Sequence, residues 1–175
     1  MLIYHPAYDV YHCIFRIFFI LSRFSAVEIE KLKIIDFYLA FPSSLSEISL
    51  PRGSGKLKNA ALKTENQYHG PMNTKRTYQE ISGIQDSAIG FLIAANLIDI
   101  DQYKLGMLSI KGARLSDDVI ERISDFSKRL DGLYCSIVDC LSSIPLYGVQ
   151  GLKNRTGLAE YRYDTIQSHN QIIQA

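Results

Sequence analysis

The chain has 175 residues, of which 47% are hydrophobic and 21% charged, with a formal net charge of +1. That is ordinary composition for one globular domain, with or without an appendage, and it excludes a disordered chain, a collagen and a long coiled coil. The near-zero charge excludes whole-surface attraction to nucleic acid or an anionic membrane, and three Cys without framework spacing argue against a disulfide-stapled secreted domain.

Pro6 and Asp9 open a first predicted helix over 7–23. It is apolar almost all round, as a central helix is. The apolar run 13–21 contains Arg16 and falls short of the roughly 20 apolar residues of a membrane span. The uncharged start Met-Leu-Ile-Tyr-His-Pro lacks the basic opening of a signal peptide. The expected location is therefore the cytoplasm, with no membrane contact. Asp9, His12 and Arg16 share one face by their i, i+3, i+7 spacing. They read either as a solvent-facing or mutually paired stripe, which is preferred, or as a charged seam covered by a partner.

Ser25 and Glu28 have capping-box spacing before a second predicted helix over 26–41, stopped by Pro42. A short helical turn follows over 43–48. Residues 52–73 form a glycine-rich basic loop, with 57–65 able to make two helical turns. From Arg52 to Arg76 there are six Lys/Arg (Arg52, Lys56, Lys58, Lys63, Lys75, Arg76) against the single acid Glu65, so the rest of the chain is net acidic. Thr74 is placed as the cap of a helix over 75–81 that Ser82-Gly83 breaks, and a third strong helix is predicted over 84–98. Ile100, Leu108 and Ile110 suit two short strands around a Lys104-Leu-Gly106 turn. Ser116 caps a fourth predicted helix over 117–130, with Val119, Ile120, Ile123 and Phe126 inward, and another spans 132–143. Residues 158–166 are read as one short strand.

The expected fold is mainly α with a small β-hairpin. A winged-helix-like core occupies 1–112 and a C-terminal helical extension, packed on the same domain, occupies 113–175. In that reading 74–82 is the positioning helix, 84–98 the recognition helix and 99–110 the wing. Helix 84–98 carries no Lys or Arg, only Gln85, Asp86, Ser87 and Asn96 as polar groups. Phosphate contacts come from cations or positioned N–H groups, so this helix suits protein better than DNA.

Chemical motifs are sparse. Gly53-Ser-Gly55-Lys56 has Leu50 where a phosphate loop needs its first Gly and Leu57 where it needs Ser or Thr. His5, His12, Cys13, His69 and His169 form no metal pattern, and Cys135 and Cys140 are wrongly spaced for a zinc knuckle. His12 and Cys13 are adjacent on a helix and point about 100° apart, so they cannot act as a nucleophile pair. No catalytic set, cofactor or metal is expected.

The segments Ile3-Tyr-His-Pro-Ala-Tyr-Asp9, Tyr11-His-Cys-Ile-Phe-Arg-Ile17 and Ile29-Glu-Lys-Leu-Lys-Ile-Ile-Asp-Phe-Tyr-Leu-Ala-Phe-Pro42, with Leu50-Pro51 after them, carry a resemblance. They resemble the small middle components of bacterial ABC three-component conflict systems, which include Lamassu-type defence operons. The resemblance implies a non-enzymatic subunit between an SMC-like or ABC-type ATPase and an effector, often a nuclease, in a hetero-oligomer acting against phage or plasmid DNA. The family supplies no catalytic residues to carry over. From the residues themselves, Arg52, Lys56, Lys58, Lys63, Lys75 and Arg76 are the candidates for nucleic-acid backbone contact, with DNA reached through the complex. Asp9, His12, Arg16, Gln85 and Asp86 are the candidates for partner contact. The alternatives are a winged-helix DNA-binding transcriptional regulator and, third, a Cys-dependent enzyme.

Overall fold

A computed structural model describes residues 5–65, 70–71, 73–111, 117–129 and 132–159. It is mainly helical with a two-stranded antiparallel sheet. A 3-10 turn at Pro6–Tyr8 leads into α1 (Val10–Leu21), where the Asp9 carboxylate accepts from the Tyr11 and His12 N–H groups at 2.7 and 3.3 Å. This cap satisfies two donors that a helix start leaves free. From Arg16 to Leu21 every residue is buried, so the apolar run is a core helix.

β1 (Val27–Glu28) runs directly into α2 (Ile29–Ala40). The expected capping box is not formed. Glu28 makes no side-chain cap bond, and the Ile29 N–H donates instead to the Gly106 carbonyl at 3.0 Å. Strand pairing claims the segment that a cap would need. α2 is the centre of the fold: Leu32, Ile34, Ile35, Phe37 and Tyr38 are fully buried. Each of the four aliphatic and Phe side chains among them contributes roughly 1.5–3 kcal/mol of burial energy. The chain then makes a 3-10 turn, Pro42–Glu47, and α3 (Gly55–Leu62), which packs on that turn and on α7 (Gly132–Ser142). Within the loop expected over 52–73, Gly55–Leu62 are thus helical, and residues 66–69 and 72 lie outside the described residues.

α4 (Thr74–Ala94) is a single helix of 21 residues. The break expected at Ser82-Gly83 does not occur, so there are not two helices here. A mid-helix Gly costs only about 1 kcal/mol. Against it stands an uninterrupted buried stripe, Tyr78, Ile81, Gln85, Ala88, Ile89 and Leu92, packed on α1 and α2. Asn73, not Thr74, is the N-cap, accepting from Arg76 N. A side-chain carbon on Gly83 or Gly90 would meet nothing within 4 Å. Gly83→Ala and Gly90→Ala are therefore expected to stabilise the chain by about 0.5–1 kcal/mol each, read as a higher denaturation midpoint.

The C-terminus of α4 closes with Asn96 in the left-handed region at φ 58°. The Asn96 N–H donates to Ile93 O and the Leu97 N–H to Leu92 O, the paired bonds of a Schellman end. Ile98 bridges Ile110 antiparallel. Between them lie a short helix, α5 (Ile100–Lys104), and β2 (Met107–Leu108). The expected hairpin is corrected accordingly. Ile100 is helical because Asp99 caps Asp101 and Gln102, and β2 pairs with distant β1 in the register Val27↔Leu108, Glu28↔Met107.

α6 (Asp117–Arg129) lies on α1, with the Phe126 and Phe15 rings 5.3 Å apart. Ile120, expected inward, is 49% exposed. In α7, Ile137, Val138 and Leu141 are fully buried against α2. α8 (Leu152–Thr156) follows a turn and ends at Gly157, φ 61°. Ser116, the Val119 side chain and residues 160–166 of the expected last strand lie outside the described residues. Among the described residues no helix is long and apolar enough to cross a membrane.

Candidate partner and nucleic-acid interfaces

The polar stripe of α1 divides. Asp9 caps its own helix, with His12 Nδ1 3.7 Å from its carboxylate. Arg16 turns inward, 6% exposed, and meets Asp36 of α2, which is wholly buried. Arg16 Nε donates to Asp36 Oδ1 at 2.6 Å and Nη2 to Oδ2 at 3.4 Å. Gln85 of α4, also wholly buried, donates to Asp36 Oδ2 at 2.7 Å and to the Lys33 carbonyl at 3.0 Å. One carboxylate therefore ties α1, α2 and α4 together. Arg16 and Gln85, expected to face a partner, make their contacts inside the chain. Their neighbours stay outside: Asp86 is 64% exposed and pairs with Lys33 at 2.5 Å.

Asp36 escaped the sequence reading. It is the lone charge in the run Ile34-Ile-Asp-Phe-Tyr-Leu39. A carboxylate in such a run needs a buried donor, and that was the available signal.

Cys13 lies beside the same carboxylate, its Sγ 3.8 Å from Asp36 Oδ2. Burial first, then the Asp36 charge, push its thiol far up from the ordinary range, so it is held as a neutral thiol. Cys135 and Cys140 are half-buried on α7, near Arg23 and Ser54 respectively. Among the described residues no three His, Cys, Asp or Glu are grouped to hold a metal.

Of the six cations, Arg52, Lys56 and Lys63 are exposed at or beside α3, and Lys75 is exposed in the first turn of α4. Arg76 is exposed but paired with Glu80 at 3.0 Å. Lys58 is half-buried and donates to the Ser46 carbonyl at 3.3 Å. The Thr74 hydroxyl donates to Glu47 at 2.7 Å, which joins the start of α4 to the turn that α3 packs on. The later surface of α4 offers Asp86, Ser87, Gly90 and a 58% exposed Phe91.

Three shallow cavities open on the described surface. One of about 230 Å³ lies between α1 and α6 and includes Arg122 and Asp125. A second of about 250 Å³ includes His5 and Arg16. The third, about 400 Å³, includes Arg76 and Glu80.

A helical protein whose buried charged residues fasten its own helices is the class this geometry defines. The family model for the ABC-three component (ABC-3C) system Middle Component 5 matches residues 2–164, and the chain belongs to that family. The resemblance carried by the first fifty residues thus extends over nearly the whole chain. Neither a curated protein nor a solved structure matches. Membership of a three-component system implies partner subunits.

Proposed function

We propose that this chain is a non-enzymatic adaptor that bridges an SMC-like or ABC-type ATPase and a nuclease-type effector in an anti-phage or anti-plasmid complex of the Lamassu kind. The observation that carries the reading is membership of a middle-component family. The arrangement of the charged groups supports it. The buried ones fasten helices, and the exposed surface mixes cations at α3 and the start of α4 with apolar side chains such as Phe91 and Leu105. The complex is cytoplasmic in this reading, and DNA is met through it.

The core is further read as a winged helix, in a register different from the one expected. The helices are α1, α2 and α4, with the segment 42–73 inserted between the last two. β1 follows α1 and pairs with β2, while Ile98 and Ile110 bridge at the base of the wing. This topology is what favours the second reading, a DNA-binding regulator. The cation-free second half of α4 favours protein contact.

The test is co-expression with the other components, affinity purification through this chain at moderate salt, and identification of the co-eluting proteins by mass spectrometry. Stoichiometric recovery of an ATPase and a second subunit is the expected result. A chain that elutes alone, or with DNA that salt removes, would replace the adaptor by the regulator.

A further inference from the structure

α6 sits lightly on α1. Among its described side chains none is buried, and Ile120 is half in solvent. Ile123 and Phe126 are half-buried, Ile123 against the edge of the core and Phe126 against Phe15. The helix beneath is held otherwise. Every α1 residue from Arg16 to Leu21 is buried, and the Asp36 carboxylate ties α1 to α2 and α4.

The seam between α6 and α1 is also incompletely filled. Phe126 stands in the wall of two of the cavities described above, of about 230 and 250 Å³, and His12 lies in both walls as well. A ring with a gap beside it forfeits the dispersion contacts that a filled seam would give. The polar groups of α6, by contrast, largely serve the helix itself. Arg122 donates to Asp118 and Lys128 to Asp125, each at 3.1 Å, and the Ser127 hydroxyl donates to Ile123 O at 2.8 Å. Toward α1, Arg122 adds a contact to the side chain of Tyr11, which is 56% exposed. A segment with little buried apolar surface and internally closed polar bonds opens below the free energy of global unfolding.

We infer that α6 is a releasable lid: it lifts from α1 as a unit while α1, α2 and α4 stay folded. Its lifting removes Phe126 from between the two cavities and joins them into one cleft along α1, bordered by Tyr11, Phe15 and, from α7, Tyr134. The lid is a property of the free chain and stands or falls without the adaptor reading.

The test is amide hydrogen exchange on the full chain, resolved by mass spectrometry and repeated over a series of urea concentrations below the unfolding transition. A helix of 13 residues is marginal in water by itself, so its amides exchange once it lifts. Peptides of α6 are expected to exchange about 100-fold or more faster than those of α2, yet about ten-fold or more slower than an unstructured peptide. Their rate should depend only weakly on urea, because lifting exposes little surface. Phe126→Ala should speed exchange in α6 by about a further ten-fold and leave α2 unchanged. Exchange of α6 in step with α2, with the same urea dependence, would show that the helix leaves only on global unfolding and would overturn the lid. Exchange at the unstructured rate would overturn it too, since α6 would then not be seated at all. So would Phe126→Ala with wild-type exchange in α6, because opening would then not break the contact with α1.

Discussion

Asp36→Ala should destabilise the protein by about 3–5 kcal/mol, the typical cost of leaving a buried charge without its partner. The chain holds the Arg16 guanidinium 6% exposed, with Asp36 as its counter-charge at 2.6 Å. Removing the carboxylate leaves four donors facing a void, two from Arg16 and one each from Gln85 and Cys13. A domain of ordinary stability has 5–15 kcal/mol in all, so the loss is a large fraction of it. The double variant Arg16→Met with Asp36→Leu should recover most of the loss, since apolar replacement of a buried pair is often neutral. Denaturant unfolding of the wild type, Arg16→Met, Asp36→Leu and the double gives the coupling energy directly. Near-additive losses would mean that the pair is not a unit and that α1 and α2 are held by apolar packing alone.

The second large effect concerns DNA. Reversing Arg52, Lys56, Lys63 and Lys75 to Glu should weaken duplex binding by the assembled complex while leaving its subunits together. All four are exposed. Lys58 and Arg76 are left out because each has a partner within the chain. Four lost phosphate contacts reduce the slope of log affinity against log salt by about 3–4, at about 0.9 per contact. That slope is read from binding isotherms at a series of salt concentrations. An unchanged slope would remove these residues from the DNA path. Loss of a subunit from the purified complex would reassign the patch to protein.

Much of the helical fold was legible in local signals. α1 and α7 follow from apolar periodicity, and α3 from a short helical pattern in a basic segment. What failed were readings in which a local rule met a distant partner. Ser82-Gly83 is a good breaker by itself, yet seven buried positions on α4 carry the helix through it. Ser25 and Glu28 have the spacing of a cap, yet Val27–Glu28 pairs with a strand about eighty residues away. Arg16 shares a helix face with Asp9 and His12, but its long side chain turns toward a carboxylate that no i, i+4 rule connects to it. The candidate interfaces were legible only as composition. The cations at α3 and the start of α4 stood out as a cluster.

The pairing of β1 with β2, and of α2 with α7, also bears on how the chain is made. Val27–Glu28 waits for Met107–Leu108, Arg23 for Asp139, and the Lys31 ammonium for the Ser142 carbonyl. At synthesis rates of roughly 5–20 residues per second, the roughly ninety residues between α2 and α7 take about 5–18 s to appear. Throughout that interval the ribosome carries two apolar helices, α1 and α2, with part of their cover still unmade. Such a nascent chain is exposed to aggregation during translation itself, so the timing with which a binding partner or chaperone reaches it sets how much of the protein is recovered folded.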